Sequence, residues 1–257
     1  MNYLTPLEVN DLTVAYGRLA ALYSITFQIP RGKLVGIVGP NGAGKSSLIK
    51  AIMGLIPIHS GNIKIFGLPL KKALRHIGYV PQKESVDWDF PVNVFDVVMM
   101  GRYGHLGLFK QPSATDREIV NQALKKVHME QFANRHISEL SGGQQQRIFL
   151  ARALAQESDL YFLDEPFAGV DAATEHAIIE VLSELKQNEK TLLVVHHDLT
   201  TAPVYFNYLI LLNKQLIAYG PTEEVFTLDN LQKAYEGKLN TFSFKNKSYL
   251  ADFGNSK

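Results

Sequence analysis

Residues 34–53 read Leu-Val-Gly-Ile-Val-Gly-Pro-Asn-Gly-Ala-Gly-Lys-Ser-Ser-Leu-Ile-Lys-Ala-Ile-Met. The apolar run at 34–38 predicts a strand buried on both faces, and the spacing from residue 46 to 53 predicts a helix. Between them lies Gly39-Pro40-Asn41-Gly42-Ala43-Gly44-Lys45-Ser46. Its glycines let successive backbone N–H groups curl around phosphate oxygens with no Cβ in the way, at the positive end of the helix that follows. In that setting Lys45 reaches the β- and γ-phosphates of a nucleoside triphosphate, and Ser46 offers an oxygen to Mg²⁺.

A second apolar strand, residues 160–163, ends on Asp164-Glu165-Pro166. Brought beside the phosphate loop, Asp164 is suited to hold Mg²⁺ through water, and Glu165 to polarise a water for in-line attack on the γ-phosphate. Kinases, GTPases, helicases and motors share these two motifs, so by themselves they name a ligand and no function. Leu140-Ser141-Gly142-Gly143-Gln144 decides more. Ser141 reads as a helix N-cap with Gln144 three residues on, and the glycines expose backbone N–H groups, which makes a second anion-binding helix start. Its distance from Lys45 along the chain, across a helical stretch, predicts that it lies on a different subdomain.

The ordered set resembles the nucleotide-binding subunit of ATP-binding cassette (ABC) transporters over residues 16–226. The resemblance implies an α/β, P-loop NTPase (RecA-like) fold: a parallel sheet core, an antiparallel β subdomain, and a helical insert at about residues 91–156 that carries the signature motif. The ATPase domain then covers residues 1–220, followed by a tail at 221–257. ATP and Mg²⁺ are the implied cofactors, and two copies of the chain sandwich two ATP molecules head to tail. Tyr16 stacks on adenine, and Gly39, Pro40, Asn41, Gly42, Ala43, Gly44, Lys45, Ser46 and Ser47 cradle the phosphates. Ser141, Gly142, Gly143 and Gln144 meet the γ-phosphate held by the other copy, and Asp171 makes an inter-subunit contact. Gln82 senses the γ-phosphate and the Mg²⁺ that Ser46 and Asp164 also hold, while Glu165 and His197 complete the catalytic set, His197 as the switch histidine. The family often has Thr or Ser where this chain has His196. His196 and His197 do not read as a metal chelate, because neighbouring strand positions point to opposite faces.

Around these motifs, residues 7–29 alternate apolar and polar in two bursts about Gly17, which predicts an antiparallel strand pair. Further strands are expected at 61–67, 77–80, 192–195 and 209–212, with a helix at 174–187. In the insert, Pro91 suits the first turn of a helix over 92–100, and Thr115 with Glu118 gives a capping-box pattern ahead of 119–127. After Gly220 come two short helical stretches and an Asn/Lys/Ser-rich end to which no chemistry attaches.

Composition narrows the class. With 257 residues, 46% hydrophobic and 20% charged, the chain is an ordinary globular protein. A balance of 26 Lys+Arg against 25 Asp+Glu argues against holding nucleic acid by phosphate neutralisation. Lack of cysteine removes disulfides, thiol catalysis and cysteine-ligated metal. No run approaches the about 20 apolar residues that span a bilayer, and the start of the chain is acidic and polar where a secretion signal would be basic and then apolar.

A free-standing cassette resembles the importer subunits that dock on separate permeases, peripheral at the cytoplasmic face of the plasma membrane. Residues 84–91 and 99–105, together with Phe167-Ala168-Gly169-Val170-Asp171-Ala172-Ala173-Thr174-Glu175, resemble manganese, zinc and iron importers, manganese first. That likeness implies a permease and an extracytoplasmic metal-binding protein as partners. Trp88 and Phe90 with Met99 and Met100 are expected to form an apolar patch for a permease helix. A soluble cassette ATPase acting on DNA or ribosomes is the other reading, disfavoured because neither heptads nor a second cassette appears.

Overall fold

The computed structural model describes residues 5–83, 91–106 and 110–236, with the backbone of two further strands in the tail. Strands β1 (Leu7–Tyr16) and β2 (Leu19–Ile29) pair antiparallel about Gly17, whose φ of +62° suits the tight turn. The apolar positions of β1 change parity, from Leu7 and Val9 to Leu12 and Val14, yet all four are buried. A bulge reconciles them. The register shifts between Val9 and Leu12, Asp11 takes φ +49°, and its carboxylate accepts the Ser24 hydroxyl at 2.5 Å.

Strand β3 (Leu34–Val38) is buried at every position, and helix α1 (Lys45–Ile52) follows the glycine-rich loop. Strands β4 (Ser60–Ile65) and β5 (Leu68–Pro69) extend the antiparallel sheet in the order β2-β1-β4-β5, and α2 (Leu70–Ala73) follows. Strand β6 (Ile77–Val80) leads to the expected helical stretch, α3 (Val94–Met99), α4 (Ala114–Lys126) and α5 (Gly142–Ala155). Two of its helix starts differ from expectation. Asn93, rather than Pro91, opens α3, its side chain accepting from the Asp96 N–H at 2.8 Å. The capping box of α4 is Ser113 with Asp116 rather than Thr115 with Glu118, and α4 ends at Lys126. The Ser141–Gln144 box of α5 is formed as read.

Strand β7 (Leu160–Leu163) pairs parallel with β6, and α6 (Ala172–Gln187) leads to β8 (Thr191–Val195). Then come α7 (Ala202–Tyr205), β9 (Tyr208–Asn213), β10 (Gln215–Pro221), α8 (Thr222–Val225) and α9 (Leu228–Tyr235). The polar end of the tail folds as a hairpin, β11 (Leu239–Phe244) against β12 (Lys247–Asp252).

The chain divides into two compact units. In the first, Met1–Ala73 with Leu193–Lys257, the antiparallel sheet is joined by strands in the order β10-β9-β3-β8, β3 and β9 being parallel. The second, Leu74–Leu192, holds β6, β7 and the helices between and after them. There Arg102, 7% exposed, donates to Asp116 at 3.0 Å, to Glu157 at 2.8 Å and to the Ala155 carbonyl at 2.7 Å. One buried guanidinium thus ties the segment after α3 to the start of α4 and the end of α5. Among the described residues no helix is long and apolar enough to cross a membrane.

Candidate active site

In the first unit, the loop between β3 and α1 is shaped by two close approaches. A Cβ on Gly39 would stand 2.0 Å from the Leu212 carbonyl oxygen, and one on Gly44 would stand 2.5 Å from Leu22. Gly44 also takes φ +93° as the N-cap of α1, and no side chain caps that helix start. Lys45 is buried, and its ammonium donates to the carbonyls of Gly39 at 2.7 Å and Pro40 at 3.0 Å. Asn41 and Gly42 are exposed at the loop tip, Ala43 is packed beneath, and Ser46 and Ser47 are half-buried in the first turn. Tyr16 ends β1 with its ring exposed and its hydroxyl 3.3 Å from the Ser47 hydroxyl, so an aromatic face stands beside the loop.

The same unit carries the two histidines after β8. His196 is buried and His197 exposed, but both lie past the end of β8, all of whose residues are buried, so strand alternation does not set their directions.

In the second unit, Asp164 is fully buried at the end of β7, its N–H bonded to the Val80 carbonyl at 3.0 Å. Glu165 adopts φ +53°, in the left-handed region that a residue with a Cβ enters at a cost. Gln82, just past β6, donates its amide to the Glu165 carboxylate at 3.5 Å. The structure therefore brings Gln82, Asp164 and Glu165 together.

At the start of α5, Ser141 Oγ accepts from the Gln144 N–H at 3.4 Å and the Gln144 side chain accepts from the Ser141 N–H at 2.9 Å. The glycines between are hemmed in from two directions. A Cβ on Gly142 would meet the Lys83 ammonium at 2.2 Å, and one on Gly143 would meet the Thr174 hydroxyl at 3.1 Å. Thr174 belongs to the first turn of α6, whose N-cap is Asp171. The Thr174 N–H, at 2.7 Å, its hydroxyl and the more remote Arg147 hold the Asp171 carboxyl below the usual range. Asp171 and the signature segment are thus parts of one local arrangement.

Residues 22–168, more than half of the chain, match the ABC transporter family. The chain belongs to that family. The manganese transport system ATP-binding protein MntB of Bacillus subtilis (strain 168) is 59% identical to it, over 91% of this chain and 94% of that protein. The zinc transport system ATP-binding protein TroB of Treponema pallidum (strain Nichols) is 53% identical, over 92% and 89%. A dimeric ATP-binding cassette in a post-hydrolysis state, bound to ADP and Pi, superposes with a TM-score of 0.74 at 27% identity, covering 84% of this chain and 98% of that one. As an ABC ATPase the chain binds and hydrolyses ATP.

Several residues beside these candidate site residues had no sequence signal. Tyr79 on β6 is pushed up to about 12 by burial and by the charge of Asp164, against the opposing effect of Arg152 on α5. Tyr79 pairs in register with Phe162 of β7, two residues before Asp164, a neighbour that alternation along β6 cannot reveal. Lys83 and Thr174, packed on the signature glycines, are equally silent in the sequence. Of the expected apolar patch, Trp88 and Phe90 lie outside the described residues. Met99, at 4% exposed, belongs to the interior of its own unit rather than to a surface, while Met100 at 37% and Tyr103 at 55% are exposed.

Proposed function

We propose that this chain is the ATP-hydrolysing subunit of a bacterial importer for a divalent transition-metal ion, manganese before zinc or iron. It acts at the cytoplasmic face of the plasma membrane, docked on a permease that an extracytoplasmic metal-binding protein supplies. The observation that carries this reading is the 59% identity to a manganese system's ATP-binding protein across nine-tenths of the chain, far beyond the short motifs that all cassettes share. Met100 and Tyr103 offer apolar surface to a permease helix.

The chemistry follows from the residues. Loop N–H groups and the Lys45 ammonium bind the phosphates, exchanging the Gly39 and Pro40 carbonyls for phosphate oxygens. Tyr16 stacks under adenine. Ser46, Gln82 and Asp164 supply a hydroxyl, an amide oxygen and a carboxylate, hard donors that suit Mg²⁺. Among the described residues no group of three His, Cys, Asp or Glu is placed to hold a metal ion. When bound, Mg²⁺ neutralises charge on the β- and γ-oxygens. Glu165, oriented by Gln82, takes the proton of the attacking water, and His197 hydrogen-bonds the γ-phosphate. A second copy closes over that phosphate with Ser141, Gly142, Gly143 and Gln144, and Asp171 faces the partner; the dimeric neighbour supports this arrangement.

The test is uptake of radioactive manganese, zinc and iron by cells deleted for this chain. Restored manganese uptake with the parent, and none with Lys45→Ala, is expected. Uptake of all three ions unaffected by the deletion would overturn the reading.

A further inference from the structure

The turn that carries His197 is closed from inside by its neighbour. His196 N–H donates to the Ile37 carbonyl at 3.0 Å, which fixes the backbone beside β3, the strand that leads into the phosphate loop. Its ring is 2% exposed, stands edge-on to Phe206 with centroids 5.3 Å apart, and lies 6.1 Å from Tyr205. From there Nε2 is 2.7 Å from the Thr201 hydroxyl, which itself donates to the Asp198 carbonyl at 3.5 Å. Thr201 occupies the N-cap of α7, a place where a threonine oxygen ordinarily accepts from the helix's own N–H groups, yet it makes no such bond. Its hydroxyl is turned to His196 and to the turn.

Residues 197–201 are further drawn together by Asp198, whose carboxylate accepts from the Thr200 N–H at 2.7 Å and hydroxyl at 2.6 Å. His197 alone of the two imidazoles faces out. A phenylalanine would fill the site of His196 and keep its ring contacts, so packing alone does not call for an imidazole there. Its polar links, to the Thr201 hydroxyl and to the Asp198 backbone, do.

We propose that His196 is a positioning residue for hydrolysis: its hydrogen bond to Thr201 fixes the 197–201 turn so that His197 projects at the angle the γ-phosphate requires. This rests on His197 being the γ-phosphate contact. Burial, aided by His197, holds the His196 imidazole at about 4, so it stays neutral and the link is constant across the working range.

Steady-state ATPase kinetics and thermal unfolding of the full chain test it, with His196→Phe, Thr201→Val, Thr201→Ser, the His196→Phe/Thr201→Val double variant and His197→Ala. Expected are losses in kcat of about tenfold for His196→Phe and for Thr201→Val, the size set by one hydrogen bond, with KM within about twofold. The double variant should be no worse than His196→Phe alone, and Thr201→Ser, which keeps the hydroxyl, should match the parent. Parent kcat in Thr201→Val, or losses that multiply in the double variant and follow a falling melting temperature, would overturn the inference while lost activity in His197→Ala left the switch intact. Undiminished hydrolysis by His197→Ala would overturn the switch and the inference together.

Discussion

The ammonium of Lys83 stands 2.2 Å from where a Cβ on Gly142 would lie, so the residue after Gln82 fills the space over the first turn of α5. The obstruction is the far end of a flexible side chain. Gly142→Ala should therefore leave melting temperature unchanged or raised, alanine being a better helix former by up to about 1 kcal/mol. ATPase activity should fall because Gly142 is proposed to meet the γ-phosphate, and the added methyl also displaces Lys83. In a Lys83→Ala background the same substitution should cost less activity, and equal fractional losses in the two backgrounds would contradict the contact.

Lys45 is buried and bonded to its own loop, so its charge is already placed where phosphate arrives. Lys45→Ala should abolish ATP binding, read as loss of the rise in melting temperature that saturating ATP gives the parent. At 100 times the dissociation constant that rise reflects about 2.7 kcal/mol. An undiminished rise in the variant would show that the loop does not hold the nucleotide.

Tyr16 presents an exposed ring with its hydroxyl tied to Ser47. Tyr16→Ala should weaken ATP by about 1 to 3 kcal/mol, while Tyr16→Phe, keeping the face and losing only the Ser47 bond, should be nearly neutral. Titration calorimetry decides. If the parent bound ATP and inorganic triphosphate equally well, there would be no adenine platform.

His196 is held near 4, below its ordinary 6.5, first by burial and then by His197, against the opposing Asp198 charge and backbone. Between those values the unfolded chain binds the extra proton and the folded chain does not. The stability this contributes is complete above about pH 6.5 and is lost as pH falls toward about 4. Melting temperature measured against pH should fall across that window in the parent and fall less in His196→Phe; identical slopes would contradict it.

What could be read in the sequence was what local rules govern. The buried run into Val38, the glycine loop and the Ser141–Gln144 box each depend on residues within one turn or strand of themselves. The start of α4 shows where that ends. Ser113-Ala114-Thr115-Asp116-Arg117-Glu118 offers two overlapping capping patterns, and the choice falls to Asp116 because it accepts from Ser113 while Arg102 donates to its other oxygen. Arg102 comes from outside the helix, so no reading of the local pattern could decide. Likewise the apolar positions of β1 change parity between Val9 and Leu12, and only the Asp11 bulge, locked by Ser24 from β2, makes them one face. Tyr79 beside β7 and Lys83 over Gly142 are placed by pairing and packing across elements, invisible to periodicity.

The central claim is that Glu165, held in a strained backbone conformation and bonded to Gln82, activates water against ATP bound between two copies of the chain. The most direct measurement is single-turnover ATP hydrolysis by Glu165→Gln, with light scattering on the same sample. The account predicts parent-like ATP binding, hydrolysis slowed by about 10² to 10⁴, and an ATP-dependent dimer that persists. A variant that hydrolyses ATP at the parent rate and stays monomeric at saturating ATP would contradict it.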